Sequence, residues 1–305
     1  MARIVSLVPG ITELLAEVGL AGQLVGRSHR CLSPTGVQKH PSVTVSKGHT
    51  LSGPVVEDPT PAGLLATTLA QDYVLLDELK ALKPDYIIAQ PDLGGTSVNA
   101  EGLKDLVKTH VGASTRLETV DGDDLPTVLN NLQRIADLFG MGSRGKSLVD
   151  KLRQRMDQLY EQAKNAPRRR RALVLSSLFP LVSAGNCVPR LLETTYMEAL
   201  WAKHGEPSRR ITWQQVIASD PDLIVLALAE TTLEEAQEAL VELHTLPELR
   251  TLRAYRARQL YLVDGERYIL PQGPSLLESA EVLAEIGYPE LFGDKRLGRG
   301  WYEAV

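Results

Sequence analysis

The alternation of apolar and polar positions divides the chain into short buried strands, each followed by an amphipathic helix. Ile4 to Val8 is an apolar run closed by Pro9-Gly10; Thr12 then caps a helix on which Leu14, Leu15 and Val18 share one side, and Gly19 ends it. Leu24 to Arg27 reads as a second strand that leads into the polar loop Ser28 to Pro34. Gly, Pro, Ser and Thr dominate from Val43 to about Pro61, which predicts an irregular excursion. Helical pattern resumes at Pro61, and Leu75, Leu76, Leu79 and Leu82 form a stripe that stops at Lys83-Pro84-Asp85. Tyr86 to Ala89 is a buried strand, and Gln90 to Asn99 is a loop.

Leu125 to Phe139 again has helical spacing. After Gly140-Met141-Gly142 a second helix runs from about Ser143 to Lys164 with Leu148, Leu152, Met156 and Leu159 aligned. At about 1.5 Å per residue it spans roughly 30 Å, enough for a stiff strut. The second half then repeats the first. Ala172 to Leu175 is a strand, Gly185 to Pro189 is a turn before a helix from Arg190 to Ala202, and Asp220-Pro221-Asp222-Leu223-Ile224 mirrors Lys83-Pro84-Asp85-Tyr86-Ile87. The expected fold is α/β: two three-layer lobes with mainly parallel sheets (residues 1–142 and 167–305) joined by one long rigid helix (143–166), with a cleft where strand ends and helix starts converge.

Composition narrows the class. Of 305 residues, 43% are apolar and 23% charged, an ordinary globular balance, and the formal charge of -5 argues against a general nucleic-acid binder. The one basic run, Arg168-Arg169-Arg170-Arg171 after Pro167, reads as a solvated domain junction, with an anionic partner as the lesser reading. Cys31 and Cys187 fit no metal spacing and read as free buried or cleft thiols. No apolar stretch approaches the roughly 20 residues that cross a bilayer. No leader precedes Arg3, which predicts a cytoplasmic protein, or a periplasmic one if the start was trimmed.

Five pieces, in order along the chain, resemble the cobalamin-type (class III) periplasmic substrate-binding proteins of ABC importers, and in particular a leaderless cytoplasmic-type member. They are Arg3-Ile4-Val5-Ser6-Leu7 with Thr12-Glu13-Leu14-Leu15; Leu82-Lys83-Pro84-Asp85; Thr212-Trp213-Gln214-Gln215-Val216; Asp220-Pro221-Asp222-Leu223-Ile224-Val225; and Leu262-Val263-Asp264-Gly265. The resemblance implies two α/β lobes on a rigid helix and non-catalytic capture of a metal chelate: a corrinoid such as cobalamin, haem or a ferric siderophore. It implies no catalytic cofactor. The expected ligand-lining residues are Pro9, Arg30, Cys31, Phe179, Trp213, Arg209, Asp264, Arg267 and Tyr268, with Asp264 in place of a family aspartate that bonds a corrinoid amide.

The family's aromatic lining is thin here. His29-Arg30-Cys31, Gln90-Pro91-Asp92-Leu93-Gly94-Gly95 and Ser208-Arg209-Arg210 stand where Tyr or Trp is usual, which favours a ligand bearing carboxylates, phosphates or hydroxamates. The resemblance places permease docking on one acidic residue per lobe; Glu101 fills the first position but Gln214 the second. With the excursion from Val43 to Asp72, that departure makes docking to a permease doubtful.

Weaker candidates complete the reading. His29 and Cys31 are able to give axial metal ligands, although no third ligand accompanies them, and His40 and His49 lie in the excursion. Backbone N–H groups at Thr12 and Glu13 could meet an anion, and Arg27, Arg30, Arg209, Arg210 and Arg267 form a cationic set. Glu230, Glu234 and Glu235 read as an acidic helix entry, and Gly94-Gly95 lacks phosphate-loop spacing. No catalytic constellation emerges. Two alternatives stand beside chelate capture: a cytoplasmic enzyme or sensor for a small anionic metabolite on a retained binding-protein fold, and an exported importer subunit for iron-siderophore or haem.

Overall fold

Each half of the chain hangs on an aspartate that follows a left-handed residue and a proline. Lys83 (φ 46°) and Asp220 (φ 40°) end their helices in the left-handed region, and Pro84 and Pro221 then forbid further helix. In the first half, Asp85 Oδ2 accepts from Arg3 N at 2.7 Å while Asp85 N donates to Arg3 O at 2.8 Å. In the second, Asp222 Oδ2 accepts from Arg171 N at 2.8 Å and Asp222 N donates to Arg171 O at 2.8 Å. The repeat legible in the sequence is therefore one reciprocal clamp used twice, holding the start of one strand against the start of its neighbour.

The computed structural model describes residues 1–46, 60–92, 98–228, 233–265, 267–269 and 273–304. Two compact units comprise residues 1–121 with 128–146, and 122–127 with 147–305. In the first, β1 (Ile4–Ser6), β2 (Leu24–Arg27), β5 (Tyr86–Ala89) and β6 (Arg116–Thr119) form a parallel sheet in the order β2-β1-β5-β6. β3 (Thr44–Val45) and β4 (Tyr73–Val74) pair apart from it, so the expected irregular excursion begins with a strand. Val5, Ile87 and Ala89 of the sheet pack with Leu65, Leu69, Leu79, Leu103 and Val107 in one core.

In the second unit, β7 (Arg170–Leu178), β8 (Leu181–Ser183), β9 (Met197–Ala199), β10 (Arg209–Arg210), β11 (Leu223–Leu226), β12 (Leu260–Val263) and β13 (Trp301–Glu303) form a mixed sheet. Its path is β10-β8-β7-β11-β12-β13, with β9 beside the start of β7. The centre, β7-β11-β12, is parallel, whereas β8, β10 and β13 run antiparallel to their neighbours. The all-apolar β11 and β12 are buried on both faces, as central parallel strands must be.

The long helix spans Gly142–Ala163. It buries Val149, Leu152, Met156, Leu159 and Ala163, so Val149 takes the place expected of Leu148 in a three-four spacing. The helix expected from Arg190 to Ala202 is instead Val188–Thr194. Tyr196 enters the left-handed region (φ 56°) and Thr195 turns its hydroxyl onto Leu191 O and Leu192 O, which frees Met197–Ala199 to pair with β7.

The basic run is also not simply a solvated junction. Arg169 Nη2 donates to Met197 O at 3.0 Å, Arg170 Nη1 to Gly287 O at 2.8 Å, and Arg171 Nη1 to Ser219 O at 2.7 Å. Arg168 forks onto Asp222 at 2.8 and 3.0 Å, and Arg253 adds a third contact at 2.8 Å. Four guanidinium groups thus close strand and helix ends of one unit, a use that a run of like charges does not reveal.

Burial pushes the Asp222 carboxyl up, but the Arg168 fork, the Arg171 N–H and the Arg253 charge outweigh it and leave the carboxyl at about 2. A depressed value stabilises the fold above the unfolded carboxyl value near 3.9 and loses that contribution as pH falls toward 2. With the partial exposure of both arginines, the expected worth is about 1–2 kcal/mol. Asp222→Asn should therefore lower stability in urea by about that amount at pH 7, with the difference narrowing between about pH 4 and pH 2. Equal stability of variant and parent at pH 7 would contradict the clamp.

Candidate functional site

Parallel strands emerge from one edge of a sheet, and the loops at that edge collect most of the predicted residues. In the first unit Ser6 lies opposite Arg27 and Ile88, and Ala89 lies opposite Thr119. Pro9, the loop beginning at Ser28, Gln90 and Asp121 therefore leave the same edge. Pro9 occupies the first turn of the helix Pro9–Glu17, where its missing N–H costs nothing, and the cap is Val8 with no side-chain bond. The helix thus starts earlier than a Thr12 cap requires. Ile11 N and Thr12 N both donate to Val8 O, at 3.1 and 3.0 Å, so the Thr12 N–H is not turned toward an anion.

Thr12 is buried, with Oγ1 2.8 Å from Ser6 Oγ and 3.0 Å from Cys31 Sγ. Cys31 is fully enclosed, and burial, only partly offset by Thr12, raises its thiol to about 11. A neutral, enclosed thiol gives no surface to a ligand and is a poor metal donor, so Cys31 belongs to the packing under the loop. His29 N and Nδ1 both lie against Thr44 Oγ1, at 2.9 and 2.8 Å, and Arg30 Nε pairs with the buried Asp72 at 2.9 Å. These contacts tie the loop to the β3–β4 pair. Arg27 is likewise spent on backbone, donating to His40 O at 3.1 Å and Ser28 O at 2.9 Å.

Among the described residues no group of three or more His, Cys, Asp or Glu is placed to hold a metal. Gly94, Gly95, His49, Glu230, Glu266 and the side chains of Glu234 and Glu235 lie outside the described residues. Glu101 is exposed in the first turn of the helix Ala100–His110 and pairs with Lys104 at 3.4 Å.

In the second unit, Leu175, Leu226 and Leu262 are level across β7, β11 and β12, so Phe179 and Asp264 project from one edge. Phe179 stands 56% exposed at the turn between β7 and β8. Ile211 N donates to Leu181 O at 3.0 Å, and Thr212 then caps the helix Trp213–Ser219 through a reciprocal box with Gln215. Trp213 is half-buried against the core. Arg209 sits farther down the ladder, opposite Ser183, with its guanidinium 5.9 Å from the Trp201 ring centre. Gln214 is exposed.

Asp264 organises the loop after β12. Its Oδ1 accepts from Arg267 N at 3.0 Å and its backbone O from Tyr268 N at 2.8 Å. A side chain at Gly265 would collide with Leu228 O and Ala227, so only glycine permits this turn to lie against the end of β11. Arg267 lies over the Tyr268 ring at 5.1 Å. The two residues line a pocket of about 180 Å³ together with Glu278, Arg296 and Arg299.

Sequence reasoning missed Asp72, Arg296 and Arg299. Only the Gly298-Arg299-Gly300 turn marked the last of these, and nothing in the local pattern connects it to Arg267.

The family model for periplasmic binding proteins matches residues 4–266. The chain is similar to the ABC transporter substrate-binding lipoprotein YvrC of Bacillus subtilis, 22% identical over 294 residues that cover 95% of this chain and 81% of that protein. A periplasmic haem-binding protein from Pseudomonas aeruginosa has the same fold at a TM-score of 0.69 and 22% identity, covering 95% of this chain and 94% of that one. The periplasmic vitamin B12 binding protein BtuF of Vibrio cholerae matches at 0.64 and 17%, covering 93% and 96%.

Cys187 is also buried, its thiol pushed up to about 12 chiefly by burial. Both cysteines should resist iodoacetamide at pH 8 in the folded protein and react fully in urea, read by intact mass. Fast native labelling of Cys31 would show that the loop opens.

Proposed function

The chain belongs to the periplasmic binding protein family, and on that footing we propose that it captures a metal chelate, a corrinoid, haem or ferric siderophore, without chemistry, as the substrate-binding component of an ABC importer. The observation that carries the reading is Phe179: a large apolar ring held in the open at the sheet edge where Asp264 and Arg267 also emerge. Exposed aromatic surface of this kind suits a broad planar ligand at low entropic cost. Trp213 begins the neighbouring helix and extends that apolar face. The haem and vitamin B12 binding named for the structures of the same fold supports the ligand class.

Permease docking fits the same role. Glu101 is the exposed carboxylate that we assign to it in the first unit. The neutral Gln214 weakens one contact of the pair and does not remove the chain from import, since the similar Bacillus subtilis protein is named as an ABC transporter component. Cell fractionation tests the cytoplasmic expectation separately.

Equilibrium titration with cobalamin, cobinamide, haem and ferric siderophores should give at least one dissociation constant well below roughly 100 µM. Phe179→Ala should weaken that ligand by about tenfold while leaving the melting temperature unchanged, because the ring is not part of the core. Absence of binding across the whole panel would end the chelate reading. A colourless protein that retains a small anionic metabolite in native mass spectrometry would favour a sensor or enzyme instead.

A further inference from the structure

Two of the cationic side chains that line the pocket have no carboxylate partner among the described residues. The antiparallel β13 begins where β12 ends, Trp301 lying opposite Val263, so the loop before it arrives beside the Asp264–Tyr268 turn. Gly300 N and Arg299 N both donate to Arg296 O, and a side chain at Gly300 would crowd Arg296 Cβ and reach ordinary contact with the Tyr268 ring. The loop thus passes beside Tyr268. Arg296 is committed to its own unit: its Nη1 lies 2.6 Å from Glu285 Oε1, its N donates to Glu285 Oε2 at 2.9 Å, and its Nη2 meets Glu281. Trp301 Nε1 fills the same Glu285 oxygen at 3.0 Å.

Arg267 and Arg299 differ. Among the described residues neither has a carboxylate partner: Arg267 rests on the Tyr268 ring and Arg299 Nη2 donates only to Lys295 O at 2.9 Å. Tyr268 lines the pocket beside them, and its hydroxyl makes no hydrogen bond to a described residue, which leaves it open to an acceptor that enters the pocket. Glu278 at the rim offsets part of the positive charge, so the pocket suits one anionic group rather than a polyanion. Its volume of about 180 Å³ is below the roughly 300 Å³ at which small-molecule pockets begin, so it holds part of a ligand.

We infer that this pocket is an oxyanion subsite, in which Arg267, Arg299 and the Tyr268 hydroxyl hold one carboxylate or phosphate group at the periphery of the ligand. The assignment deepens the chelate reading and rests on it for the rest of the ligand, while its geometry stands on the pocket alone. Every residue in it lies beyond the 4–266 segment that the family model matches. Arg296 acts as a positioning residue, braced by two glutamates so that the loop bearing Arg299 keeps its place.

The test compares haem with its dimethyl ester, and inorganic phosphate and citrate by themselves, on the parent chain, Arg267→Gln, Arg299→Gln and Arg299→Lys. The acid should bind the parent about tenfold more tightly than the ester, as expected for one charge-assisted contact, and that gap should close in both Gln variants and partly return in Arg299→Lys. Thermal unfolding confirms that the exposed Arg267 and Arg299 positions tolerate the changes. Equal binding of acid and ester by the parent, or a gap that persists in both Gln variants, overturns the subsite. If neither porphyrin binds, phosphate and citrate decide: saturable binding lost in Arg299→Gln sustains the subsite while the haem reading fails, and no binding of either anion overturns it.

Discussion

The reciprocal hydrogen bonds between Asp85 and Arg3, and between Asp222 and Arg171, set the register on which both sheets depend. Asp85 accepts from the N–H of the residue just before β1, and Asp222 from that of the second residue of β7. Charge assistance strengthens such a bond most where the carboxylate is buried, as at Asp222, and less at the exposed Asp85. Register matters because a slip of one residue would turn every side chain to the opposite face. Ile4 therefore stays opposite Tyr86 and Ala172 opposite Leu223, and the carboxyl ends of the strands emerge level with one another. Where a ligand loop begins is decided at the other end of the strand.

The second sheet adds what the first lacks. Antiparallel strands start where parallel strands stop, so β8 and β13 deliver the Phe179 turn and the 294–300 loop to the edge that already carries Asp264. An all-parallel sheet would place those connections at the opposite edge. The apolar ring and the cationic pocket are thus two products of one topological choice.

Arginine shows how little residue type says about use. Arg27, Arg30 and the run from Arg168 to Arg171 are spent on carbonyls and buried carboxylates inside their own units, whereas Arg267 and Arg299 meet none of the described acids. A guanidinium drawn toward the interior needs acceptors there, which the chain supplies to the first group, whereas Arg267 and Arg299 stay exposed. The same economy encloses Cys31: Thr12, expected to cap a helix, instead joins Ser6 of β1 in a polar seam under the loop.

Periodicity alone was enough to establish the α/β alternation, the long helix and the Pro-Asp repeat, because these depend on local spacing and on prolines whose effect is confined to their neighbours. Phe179, Asp264, Arg267 and Tyr268 were expected from the family resemblance, and the structure sets each of them just beyond the end of its strand. The helix lost after Thr194, the burial of Cys31, the commitment of Arg30 to Asp72 and the meeting of Arg267 with Arg299 were decided by tertiary structure. Each depends on a partner brought from elsewhere in the chain by strand pairing. A linear pattern records which side of its own element a residue occupies, and only packing determines what stands against it.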